Sequence, residues 1–173
     1  MSNVVMTNVL RFLAFVFIQV LILKDINIGG QSFNYINIII YPLFLILLPL
    51  RTPHSILVLL GFLTGIFVDA FYDTYGIHAS AAVFTGFIRP YVLQIFSPKG
   101  GYNLNFSPTK NRFGINWFLA YCSMMLFLHL FFYFSVDAFT FYYLDEIFLR
   151  TVSTFLISML IILIYKYLLH PVE

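Results

Sequence analysis

Two carboxylates, Asp69 and Asp73, stand four residues apart, and His78 follows them closely. On one helix face this spacing spells D-x-x-x-D, which can hold a divalent cation for phosphoryl-transfer chemistry. A hard cation prefers more oxygens than two carboxylates and one imidazole supply, so the pattern predicts no metal site. His54, His129 and His170 are scattered and show no ligand spacing. His129 is expected to be a satisfied polar residue or a donor between helices. Ser and Thr occur singly, without a His/Asp context, so nucleophilic catalysis has no support. These residues predict no catalytic centre, no enzyme activity and no cofactor.

The elements that position the two acids are more informative. Gly61, Gly65, Asp69 and Asp73 recur every fourth residue and form one stripe on a helix. After a turn at Tyr75-Gly76, Ala79, Ala82, Gly86 and Arg89 follow at spacings of three and four. Two apolar helices, each with a small-residue stripe and a charge on it, predict a tightly packed hairpin. Glycine at this spacing lets another backbone approach, whether in this chain or in a partner.

Composition places that hairpin in lipid. The 173 residues are 61% hydrophobic, 20% aromatic and 9% charged, against about 25% charged in soluble domains. Mean hydropathy is +0.94. A water-soluble core could not absorb 22 Phe and 12 Tyr without large exposed apolar patches. The one cysteine, Cys122, excludes an internal disulfide, and no basic patch is dense enough for nucleic acid.

Read in order, the chain predicts six transmembrane helices in a single domain, at about 8–23, 35–50, 56–73, 78–96, 114–135 and 147–169. The first carries Arg11 and Gln19 but no small-x-small cleavage site, and reads as an uncleaved span. The linker 24–35, with Gly29-Gly30, is a polar turn. The apolar part of the second, Ile36–Leu50, holds Pro42 and Pro49 and reaches only roughly 22 Å as helix, short for a ~30 Å hydrocarbon core. It must start earlier, thin the bilayer or kink. The polar segment 97–112 carries three basic residues and no acid. Tyr142, Tyr143, Tyr165 and Tyr167 suit an interfacial belt.

Charge placement orients these spans. With both termini cytoplasmic, that side holds Arg11, Arg51, Lys99, Lys110, Arg112 and Lys166; the other holds only Lys24 and Arg150. Asp25, Asp69, Asp73, Asp137, Asp145 and Glu146 fall outside or near the outer ends, and Glu173 inside. The Lys/Arg bias determines orientation. Asp69 then lies roughly 5 Å, one turn, below the outer surface, where a carboxylate needs water, a partner or a buried donor. Asp73 is expected to be interfacial. Arg89 lies some 16 Å from the outer end of its helix and is expected to snorkel toward the cytoplasmic headgroups rather than pair with Asp69.

The order Gly65-x3-Asp69-x6-Gly76-x2-Ala79-x6-Gly86-x2-Arg89 resembles the signature of the rod shape-determining protein MreD family. The resemblance covers roughly residues 36–98, including Leu48–Pro53; elsewhere it rests on length, span count and topology. It implies an all-α membrane protein similar to the six-helix substrate-binding subunits of energy-coupling-factor transporters, in the bacterial inner membrane, without catalytic activity. It implies a scaffold of cell-wall elongation, associated with an MreC-like periplasmic protein. Through that protein it would meet MreB-like filaments, a SEDS glycosyltransferase and a penicillin-binding transpeptidase. Gly61, Gly65, Asp69, Gly76, Ala79, Gly86 and Arg89 would form its structural or partner-binding motif. A second expectation is a solute-binding subunit of a vitamin transporter, with Asp69, Asp73, Asp137 and Asp145 lining a polar pocket. Further carboxylates converging on Asp69 and Asp73 would instead signal a metal-dependent membrane transferase.

Overall fold

A computed structural model describes residues 2–24, 26, 37–104, 106–140 and 142–168. Most of the 24–35 linker, with Asp25 and Gly29-Gly30, lies outside the described residues, as do His170 and Glu173; the side chains of Lys110, Lys166 and Tyr167 are likewise outside.

All regular structure among these residues is helical. Helix α1 runs Ser2–Ile18 and continues through a wider π turn, Gln19–Leu23, closed by Lys24 N–H on the Gln19 carbonyl at 3.0 Å. Then come α2, Pro42–Leu47; α3, His54–Tyr72; α4, Ile77–Ile95; α5, Lys110–Phe113; α6, Ile115–Ala138; and α7, Leu144–Leu168. Four stretches are long and apolar enough to cross a membrane: Met6–Leu23, His54–Tyr72, Ile115–Ala138 and Leu144–Tyr165. Their outward residues, among them Leu13, Leu59, Leu63, Leu156 and Leu160, are exposed and apolar, as lipid-facing positions are. The chain is a multi-pass membrane protein.

Local chemistry explains where the helices stop. Pro42 takes the first helical position of α2, where its missing N–H costs nothing. Leu48 precedes Pro49 and is extended, ψ 149°, because proline crowds the α region of its predecessor. The expected helix over 35–50 therefore contracts to six residues, preceded by non-helical backbone at 37–40. At the far end of α3, Asp73 turns left-handed, φ 54°, and Gly76 follows at φ 86°, a conformation glycine adopts without a Cβ penalty.

Helices α3 and α4 form an antiparallel hairpin with the most extensive contact in the fold; α6 packs on the other side of α4, and α7 on α6. Helix α1 runs parallel to α3, with Phe17 against Phe67 and Gln19 bonded to Tyr72. Every residue of α2 is buried, enclosed by α1, α3, α4 and α6. The core-facing stripe of α6 (Phe118, Tyr121, Cys122, Met125, Leu126, His129 and Tyr133) keeps the helical spacing. Tyr142 and Tyr143 are exposed at the α6–α7 turn, whereas Tyr165 lies edge-on to Phe15 at 5.0 Å.

Candidate functional site

The hairpin seam runs backbone to backbone. A Cβ on Gly61 would come within 2.5 Å of the Ala82 carbonyl oxygen, and one on Gly86 within 2.6 Å of the Leu57 oxygen. On Gly65 it would meet the His78 oxygen at 2.6 Å and the Ala79 backbone beside it. Gly61, Gly65, Ala79, Ala82 and Gly86 thus face one another within the chain. Gly76 has nothing within 4 Å of where its Cβ would be, so its role is conformational.

That close approach delivers Asp69 to the start of α4. Its side chain is buried, with 5% of the residue exposed. Oδ1 accepts the His78 N–H at 3.0 Å, and Oδ2 accepts the Ala79 N–H at 2.9 Å. These are first-turn donors that a helix leaves unpaired. Gly76, the local capping residue, has no side chain to serve them. Asp69 therefore caps α4 from the neighbouring helix, with its charge at the positive end of the α4 dipole. Thr74 Oγ1 donates to Oδ1 at 2.5 Å, and His78 Nδ1 lies 3.0 Å from it. An ionised carboxylate only accepts, so Nδ1 carries the proton. The His78 ring is held among Tyr41, Tyr72 and Tyr133.

Both Asp69 oxygens are thus engaged, while Asp73 is exposed at the left-handed end of α3. The D-x-x-x-D pair does not converge on a common point.

Arg89 departs from the expected snorkelling. It is 1% exposed and turns inward, where Nε donates to the Ile46 carbonyl at 3.4 Å and an Nη2 hydrogen to the Leu48 carbonyl. The cause is α2: a six-residue helix ending inside the protein leaves carbonyls that water cannot reach. Tyr121 Oη adds a second donor to Ile46 at 3.2 Å. Arg89 does not pair with Asp69; the two charges serve opposite helix ends.

The non-helical stretch before α2 is satisfied in the same manner. Gln19 Nε2 donates to the Ile38 carbonyl at 2.8 Å, and Gln19 Oε1 accepts the Ile40 N–H at 2.8 Å. From α7, Ser158 Oγ accepts the Ile39 N–H at 2.9 Å, and Thr154 Oγ1 the Asn37 N–H at 3.3 Å. Spacing does not single out Gln19, Tyr121, Thr154 or Ser158; Gln19 and Ser158 are each a lone polar group in an apolar run, whereas Tyr121 and Thr154 have polar neighbours and carry no such signal. His129 Nδ1 lies 2.7 Å from Thr85 Oγ1, whose own hydroxyl donates to Ala81, and His129 Nε2 is buried with no hydrogen-bond partner among the described residues.

Fold and site together define a class: a multi-pass membrane protein, helical throughout its described regular structure, in which the two hairpin charges Asp69 and Arg89 cap helices of the same chain. Searches with protein-family models, curated proteins and solved structures found no match to this chain.

Proposed function

We propose that this chain is a non-catalytic component of the bacterial rod complex, similar to MreD, in the inner membrane with both termini cytoplasmic. It would scaffold peptidoglycan synthesis through an MreC-like periplasmic protein, and through it reach MreB-like filaments, a SEDS glycosyltransferase and a penicillin-binding transpeptidase. The observation that carries this reading is that Asp69 and Arg89, the charges inside the hairpin, are both engaged in building the chain's own shape. A rigid body presenting apolar faces to the membrane suits a scaffold.

The six-span layout, akin to the substrate-binding subunits of energy-coupling-factor transporters, belongs to the same proposal. It makes residues 37–50 the second crossing. Non-helical backbone can rise up to about 3.3 Å per residue against 1.5 Å in a helix, so a mixed segment of this length can reach roughly 30 Å, the thickness of the hydrocarbon core.

A solute-binding subunit is the second reading. It draws on a cavity of about 230 Å³ at the α6–α7 turn, lined by Asp137, Tyr143, Glu146 and Arg150 among others. That volume falls below the roughly 300–1,000 Å³ of ordinary small-molecule sites.

Affinity isolation from nanodiscs separates the two. Co-purification of the MreC-like protein, with rounding of cells depleted of this chain, is the expected result. Co-purification of a transporter ATPase core with rod shape retained would replace the scaffold reading by the transport one.

A further inference from the structure

A lateral groove of about 560 Å³ opens between α1 and α3, with α2 as its floor. Its walls are Val9 and Phe12 on one side and Ile56, Leu60 and Leu63 on the other; Phe44 and Leu48 lie at the bottom. Val9, Ile56 and Leu63 are about half exposed, so the groove faces the membrane sideways. It has a polar end. Asn8, in the second turn of α1, and Thr52, just before α3 and next in sequence to the exposed Arg51, line it, while Thr64 further along spends its hydroxyl on the Leu60 carbonyl.

That end of the molecule is basic by construction. The Leu50 N–H bonds to the Phe106 carbonyl at 3.0 Å, and the Arg51 N–H to the Leu104 carbonyl at 3.1 Å. These two bonds fasten the 97–112 loop to the turn that carries Arg51. Arg112 lies 4.3 Å over the Phe106 ring, which brings a second guanidinium to the same place. Lys99 is exposed on the loop, and neither the loop nor the turn contains an Asp or Glu. The acids gather at the other end, around Asp73, Asp137, Asp145 and Glu146.

We propose that this groove is a binding site for one anionic glycerophospholipid, with an acyl chain between α1 and α3 and the headgroup phosphate near Arg51, Lys99 and Arg112. Charge complementarity selects the lipid: the apolar channel ends at a cationic rim with hydrogen-bonding side chains, the order of groups along a phospholipid. A partner's transmembrane helix would fill the channel but leave the rim without a counter-charge.

The test retains lipid on the purified full chain. Protein reconstituted with equal phosphatidylglycerol and phosphatidylcholine is extracted in mild detergent and weighed by native mass spectrometry. One phosphatidylglycerol per chain is expected to survive in preference to phosphatidylcholine. Arg51→Gln should reduce that preference roughly fivefold, the share of one basic residue at an anionic surface. Val9→Trp, on an exposed position of the wall, should displace lipid of both kinds. A photo-crosslinker at Leu63 should yield a lipid adduct in the otherwise unaltered chain, which keeps the proposal testable if Val9→Trp does not fold. Equal retention of the two lipids, retention unchanged by a folded Val9→Trp variant, or a Leu63 adduct with a polypeptide would overturn it.

Discussion

Asp69 and Arg89 solve the same problem at opposite ends of the molecule. Each closes a helix that lacks its own cap, and each does so with the charge that complements that helix's dipole. They differ in reach. Asp69 serves donors nine and ten residues along the chain, across one turn, whereas Arg89 serves carbonyls 43 and 41 residues away. They differ also in redundancy: the α4 donors have Asp69, while the Ile46 carbonyl also receives Tyr121. A buried N–H without an acceptor is rarer and more costly than a carbonyl with one lone pair filled. The acid should therefore matter more than the base.

The largest effect tests the seam that brings Asp69 into place. Gly65→Val puts branched carbon inside the α4 backbone, and no monodisperse protein is expected by size-exclusion chromatography. Next, Asp69→Leu leaves the His78 and Ala79 N–H groups and the His78 ring without their acceptor. It should destabilise by about 3–5 kcal/mol, with faster hydrogen exchange at residues 77–80. Asp69→Asn, which keeps one acceptor oxygen, should recover part of this. Arg89→Leu should destabilise by about 2–3 kcal/mol, and Arg89→Lys by less, since an ammonium keeps a charged donor for these carbonyls although it cannot reproduce the planar fork. If Arg89→Leu exceeded Asp69→Leu in thermal unfolding, the ranking drawn from redundancy would be wrong. Gly76→Ala, at φ 86° but in open space, should cost about 1 kcal/mol. Smallest is Arg150→Gln, which breaks exposed pairs with Glu146 at 2.8 Å and Asp137 at 3.4 Å; a change below about 1 kcal/mol that fades in salt is expected.

The two caps also mark what was legible in the residues. The stripe Gly61-Gly65-Asp69 and its counterpart Ala79-Ala82-Gly86 were readable because a helix repeats every three to four residues and a short turn forces its neighbours together. Its depth required that Asp69 meet water, a partner or a buried donor, and only the structure shows that the donors are the His78 and Ala79 N–H groups. The inward turn of Arg89 was not legible: a long cation in lipid snorkels when nothing inside needs it, and the need arose from α2, whose length Pro42 and Pro49 curtailed. Gln19 was visible only as an interruption of an apolar run, because its partners at Ile38 and Ile40 lie across the linker.

Composition and periodicity by themselves determined that this chain lives in a membrane, which faces of α3 and α4 are small enough to touch, and where charge could not rest unsatisfied. These are local properties of side-chain volume and hydration. Only the tertiary structure decided which donor meets which acceptor. A backbone group freed from its own helix in a dry interior takes whichever polar side chain packing brings within 3 Å, and that choice is made between segments far apart in the chain.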